Sequence, residues 1–185
     1  MADEIKLTAP LSKDEARSLR TGDRVLLSGT FYAARDSAHK SMVEDLEAGN
    51  DLPFDLQGAV IYYMGPTPAP PGKPIGAAGP TTSGRMDPFT PLMLKAGVAA
   101  TVGKGQRSPE VVEAMKEHDA AYLAVIGGAG ALLSQSIDSC EVAGYEDMGP
   151  DAVLKLEVRD MPMVVINDSL GGDLYAEGRA KYASR

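Results

Sequence analysis

Residues 79–91, GPTTSGRMDPFTP, put three adjacent hydroxyls and an arginine on a glycine-hinged loop. Gly79 and Gly84 have the G-x-x-x-x-G spacing of a phosphate-binding loop. That motif continues with a Lys, which reaches the β- and γ-phosphates, and a Ser or Thr, which binds Mg²⁺. Here Arg85 and Met86 follow instead. A thioether does not bind Mg²⁺, so a nucleotide loop of this type is set aside. Two readings of Thr81, Thr82 and Ser83 remain. In one, they cap a helix, because hydroxyls satisfy its free N–H groups. In the other, they and Arg85 form an anion site. A helix N-terminus favours negative charge, and a guanidinium matches a carboxylate through two parallel hydrogen bonds.

Two other stretches concentrate cations in the same way. In 35-RDSAHK-40, Arg35, His39 and Lys40 crowd the start of a helix directly after a strand. Positive groups there oppose the helix dipole, and an anionic ligand would offset this; a solvated basic face is the plain alternative. Asp36 either caps the helix or neutralises Arg35. In 103-GKGQR-107, Lys104 and Arg107 lie between a strand and a helix. The run 127-GGAG-130 lacks the dinucleotide spacing and reads as close strand–helix packing. His118, in 116-KEHD-119, reads as surface. Three cation-bearing loops between strands and helices suggest one anionic pocket at the carboxyl edge of a sheet, of a size suited to a small dicarboxylate.

The elements that must carry these loops follow from periodicity. Strands are expected near 5–8, 24–34 (interrupted by Gly29), 58–65, 98–103 and 121–128. Two more are expected within 153–168, one on each side of Met161-Pro162. Helices are expected after Ser12, whose spacing to Glu15 is that of a capping box. Others are expected over 35–50 with Asp36 or Ser37 as cap, from Met86 to Ala96, after Ser108-Pro109, and from Ala129 to about Ile137. The alternation predicts an α/β layered domain, partly parallel, spanning residues 1–185. The strand-rich first third suggests a second small sheet or barrel-like layer. Six prolines in residues 66–80 make a stiff approach to Thr81.

Composition narrows the class. The 185 residues are 44% hydrophobic with no Trp, so Val, Leu, Ile, Ala and Met must build the core. A net charge of -8 argues against general nucleic-acid binding. The opening MADEIKLT has no apolar core of a secretory signal, and no run approaches the roughly 20 apolar residues of a membrane helix. A cytoplasmic, soluble chain is therefore expected. A single cysteine, Cys140, cannot form an intrachain disulfide or supply a cysteine-based metal site by itself.

RDSAHK, GPTTSGRMDPF, VGKGQR and the tail VLKLEVRDMPMVVIND together resemble, in order and over about residues 5–175, the β subunit of class I iron–sulfur fumarases. The same homology group contains the C-terminal domain of single-chain class I fumarases and the β subunit of L-tartrate dehydratase. The resemblance implies a swivelling β/β/α domain and a hydro-lyase that hydrates fumarate reversibly to (S)-malate. L-tartrate or mesaconate is the alternative substrate. It also implies a [4Fe-4S] cluster held by three cysteines of a separate α subunit, with no metal bound by this chain, in an α₂β₂ assembly. By motif, Arg35, Arg85 and Lys104 would bind the substrate carboxylates. Thr81 would be the catalytic base, and Asp36, His39 and Lys40 would support the site. An isolated chain would self-associate through its orphaned interface. A reading of another class is a non-catalytic module that binds a dicarboxylate.

Overall fold

In the computed structural model, residues 4–183 are described. The strands are β1 (Ile5–Ala9), β2 (Arg24–Ala33), β3 (Val60–Tyr62), β4 (Ala100–Gly103), β5 (Ala121–Ala124), β6 (Ile137–Gly144) and β7 (Val153–Asn167). The helices are α1 (Lys13–Ser18), α2 (Asp36–Ala48), α3 (Thr90–Lys95), α4 (Pro109–His118), α5 (Gly130–Leu133) and α6 (Leu174–Tyr182). The architecture is mixed α/β, as expected.

β1 to β5 run parallel and neighbour one another in chain order. β7 runs antiparallel, pairing with β2 along one side and with β5 and β6 along the other. The ladders therefore close a ring through β2, β3, β4, β5 and β7. Side-chain alternation along β3 shows the layering. Val60, Tyr62 and Met64 face a core shared with Leu27, Phe31, Leu156, Val158 and Met163 from β2 and β7. Ile61 and Tyr63 face a second core with Met42 of α2, Met93 of α3, and Val111 and Met115 of α4. The order is β/β/α, with helices covering one face of the parallel strands. Each fully buried large side chain contributes on the order of 2 kcal/mol, so both cores bind the layers firmly.

Local signals place most elements. Ser12 and Glu15 form the complete capping box that opens α1. Ser108 accepts from the Val111 N–H at the start of α4, with Pro109 in the first turn. Gly49, left-handed at φ 74°, ends α2.

Several expectations need correction. The barrel-like closure comes from β7, near the C-terminus, rather than from the first third. The stretch expected as two strands forms one, Val153–Asn167. The chain turns at Asp160, whose φ is +45° and whose N–H donates to Ser28 Oγ at 2.9 Å. A register shift beside Gly29 absorbs that irregularity, and Pro162 continues in register opposite Leu26. A proline is tolerated where the ladder is already bulged. The helix expected over 86–96 is a 3-10 turn at Ser83–Met86 followed by α3. Strand β6 and helix α6 had no expectation. β6 is largely exposed on alternating and non-alternating positions alike, so hydrophobic periodicity does not reveal it.

Candidate functional site

Because β2 to β5 are parallel, the loops that follow Ala33, Tyr62, Gly103 and Ala124 emerge at one sheet edge. Arg35 and Asp36 follow β2, Gly65 and the 81–85 loop follow β3, Lys104 follows β4, and Gly127 follows β5. Contacts link these loops in turn. The Arg35 guanidinium lies so close over Gly65 that a β-carbon there would sit 2.8 Å from Arg35 Nε. Arg85 Nη2 donates to Asp36 Oδ2 at 2.6 Å. Thr82 and Lys104 form an isolated parallel bridge, in which the Ser83 N–H donates to the Lys104 carbonyl at 2.9 Å. The Lys104 stem passes Gly127, with Cδ 3.4 Å from where a β-carbon at 127 would be.

The approach to Thr81 is anchored rather than loose. The Ala78 N–H donates to the Gly130 carbonyl at 3.0 Å, and the Thr81 N–H to the Tyr63 carbonyl at 2.8 Å. A β-carbon on Gly130 would lie 2.9 Å from the Gly79 nitrogen. That contact is the physical content of the glycine-rich 127–130 run: loop and α5 meet backbone to backbone.

The sequence-derived candidates divide into groups. Arg35, Arg85, Lys104 and Thr81 come together on this rim, each at least partly exposed. Arg35 pairs with Asp151, which ties the start of α2 to the loop before β7. Each arginine donates to these carboxylates from one terminal nitrogen. Lys40 lies exposed and pairs with Glu44, at 3.8 Å.

Four local roles differ from expectation. Asp36 neither caps α2 nor pairs with Arg35. The cap position is Arg35 itself, without a side-chain bond, and Asp36 turns to Arg85. Burial disfavours the ionised Asp36, but the Arg85 hydrogen bond and the charges of Arg85 and Arg35 outweigh it. Its pKa therefore lies below the ordinary value. The hydroxyls of the 81–83 run do not cap a helix. Thr82, at the cap position of the 3-10 turn, makes no side-chain cap bond, and buried Ser83 Oγ instead meets Tyr122 Oη at 3.0 Å.

His39 is buried, not displayed to a ligand. Its Nδ1 lies 2.7 Å from the Arg35 carbonyl oxygen, which also accepts from the His39 N–H. A carbonyl only accepts, so Nδ1 carries the proton. Nε2 has no hydrogen-bond partner among the described residues, and the ring packs edge-on to Tyr63 at 5.2 Å. Burial pushes its pKa down to about 4, against the raising effect of the Arg35 carbonyl. The imidazole is neutral near pH 7 and secures the backbone of Arg35.

Its place in GKGQR groups Arg107 with the anion-binding cations, but its side chain is fully buried. It belongs to a polar node beneath the rim. Burial works against its charge, and Tyr63 and Asp87 outweigh this and raise its pKa. Sequence alone gave no sign of that partner set, since the acceptors come from separate strands and loops.

The donor set does not fit a metal cluster. No group of three or more His, Cys, Asp or Glu among the described residues is placed to hold a metal ion. Cys140 lies half-buried on β6 against the inter-sheet core. Among the described residues, no helix is long and apolar enough to cross a membrane.

A parallel sheet with helices on one face, an antiparallel strand closing the other, and cations gathered at its carboxyl edge define a β/β/α domain. The chain belongs to the fumarase C-terminus family, whose model matches residues 1–178. It is 37% identical over 178 residues to fumarate hydratase 2 of Leishmania major, covering 94% of this chain and 31% of that protein. It is 39% identical over 156 residues to the anaerobic class I fumarate hydratase of Escherichia coli K12, covering 83% of this chain and 28% of that one. A Methanocaldococcus jannaschii protein assigned as L(+)-tartrate dehydratase subunit beta is 36% identical over 181 residues, covering 92% and 91%. The chain thus spans under a third of the fumarate hydratases and nearly all of the beta subunit.

Proposed function

We propose that this chain is the β-type part of a hydro-lyase that reversibly hydrates fumarate to (S)-malate and works with a separate α subunit. The observation that carries this reading is the gathering of Arg35, Arg85, Lys104 and Thr81 on one rim where the parallel strands end. Arg35 and Arg85 grip the two carboxylates of the substrate. In the dehydration direction Thr81 Oγ takes the proton from carbon, and the electron pair left behind moves onto the adjacent carboxylate. Lys104 and Arg85 stabilise that charge as it builds, the largest contribution an active site commonly makes. Threonine is a weak base at its free pKa, so neighbouring cations or the partner must activate it.

The group that takes the leaving hydroxyl lies outside this chain. The iron–sulfur cluster implied by the resemblance finds no ligand set here and is assigned to the α subunit, in an α₂β₂ assembly. The exposure of the rim supports this, because Arg85 and Lys104 are exposed and Arg35 and Thr81 partly so. Anaerobic co-expression with the α subunit, followed by assays on fumarate, malate and L-tartrate, tests the proposal. Turnover of fumarate and malate above tartrate is expected, and dicarboxylate binding with no turnover after cluster rebuilding would replace it with a binding module. Tartrate is the second reading, supported by the beta subunit that matches this chain along 91% of its length.

A further inference from the structure

Beneath the rim lies a buried polar node centred on Arg107, set against the helix-side core. Arg107 Nε donates to Asp87 Oδ1 at 2.7 Å, Nη1 to Thr101 Oγ1 at 3.1 Å, and Nη2 to Thr90 Oγ1 at 2.7 Å and Tyr63 Oη at 3.4 Å. All three guanidinium nitrogens are engaged, and Cζ lies 5.2 Å from the Tyr63 ring centroid and 5.0 Å from that of Tyr122.

These partners belong to the segments that carry the rim. Asp87 and Thr90 directly follow the loop of Thr81 and Arg85, and Thr90 Oγ1 also donates to the Met86 carbonyl at 2.8 Å. Asp87 Oδ2 accepts from the Ser108 N–H at 2.8 Å, joining that loop to the start of α4. Tyr122 Oη donates to the Gly105 carbonyl at 2.9 Å and meets Ser83 Oγ, so it touches both the 81–85 loop and the Lys104 loop. Tyr63 holds the Thr81 N–H with its carbonyl.

We infer that Arg107 is a positioning residue for the reaction: its fork holds the Thr81–Arg85 loop against the Lys104 loop at the spacing the substrate needs. The inference rests on the proposed roles of Thr81 and Arg85. A helix-capping or purely packing role would not need every nitrogen of one desolvated guanidinium bonded to four different side chains. Lysine keeps the charge but not the planar fork, and cannot reproduce these directions.

The test uses the enzyme assembled with its α subunit, at a temperature where circular dichroism shows each variant fully folded. Arg107→Lys is expected to lower kcat by on the order of 10²-fold and to raise KM, the scale of an angstrom-level misplacement. A lower Tm with wild-type kcat and KM would overturn the inference and leave Arg107 a stability residue. If Arg107→Lys does not fold, Thr101→Val, which removes one bond only, is expected to lower kcat several-fold; unchanged kcat would overturn it equally. Arg85→Ala separates the two levels. Normal turnover in that variant overturns the proposed site itself. An inactive Arg85→Ala beside a normal Arg107→Lys overturns only the positioning role.

Discussion

Arg85 Nη2 and Asp36 Oδ2 lie 2.6 Å apart, joining the loop after β3 to the first turn of α2 across the sheet edge. Both side chains are substantially exposed, 52% and 38%. A pair of that kind contributes roughly 0–1 kcal/mol to stability. Its consequence is orientation: one nitrogen of Arg85 is tied down on the rim while the chain remains open to a ligand.

Under the proposed function, Arg85→Ala should cut kcat/KM of the enzyme assembled with its α subunit by at least about 10², the scale of one lost charge-stabilising donor. Asp36→Asn keeps the hydrogen-bond acceptor and should cost only a few-fold. Steady-state kinetics on malate compare the two, and near-normal turnover in the alanine variant would remove Arg85 from the site.

Thr81→Val keeps the shape and deletes the hydroxyl. With Thr81 as base, exchange of the malate C–H proton with solvent should fall along with turnover, since the variant lacks the hydroxyl that takes the proton. Exchange at the wild-type rate, followed by NMR in D₂O, would place the base elsewhere.

Gly65→Ala should raise KM with little change in stability. A β-carbon there would lie 2.8 to 2.9 Å from Arg35 Nε, Cδ and Cζ. These atoms are the far end of a flexible side chain, so the fold yields easily and the guanidinium moves. Urea unfolding should match the wild type while the substrate dependence shifts. An unchanged KM would argue that Arg35 does not contact substrate.

His39 makes stability depend on pH. Its folded pKa, about 4, lies below the ordinary value near 6.5, so the unfolded chain binds the proton more readily between these limits. Stability is then complete above about pH 6.5 and falls as pH drops toward 4. Between about pH 7.5 and 5 the loss from this group is about 2 kcal/mol. His39→Leu should flatten that slope in urea titrations. An equal slope in both proteins would assign the pH dependence to other groups.

Much of the fold was legible in the sequence because its signals are local. Ser12 with Glu15, Ser108 with Pro109, and Gly49 mark helix ends through bonds that reach only a few residues. The alternation of Val60, Ile61, Tyr62 and Tyr63 between two cores is likewise a matter of neighbouring positions. β6 was not legible, because its stability comes from pairing with β7 rather than from a buried face. The unbroken course of β7 through Pro162 depends on a register shift opposite the stretch between Leu27 and Gly29, distant in sequence.

The site divides in the same way. The residue types of RDSAHK, TTSGR and GKGQR, and their places after strands, are properties of the chain itself, and they bring an arginine, a hydroxyl or a lysine to one sheet edge whenever those strands run parallel. Which cation faces solvent is a different matter. Lys104 and Arg107 are three positions apart, yet one lies on the rim and the other is sealed under it. Asp36 meets Arg85 rather than its neighbour Arg35. Burial and partnership are set by what the rest of the chain brings alongside, and desolvation turns identical guanidinium groups into a candidate ligand clamp at Arg85 and an internal brace at Arg107.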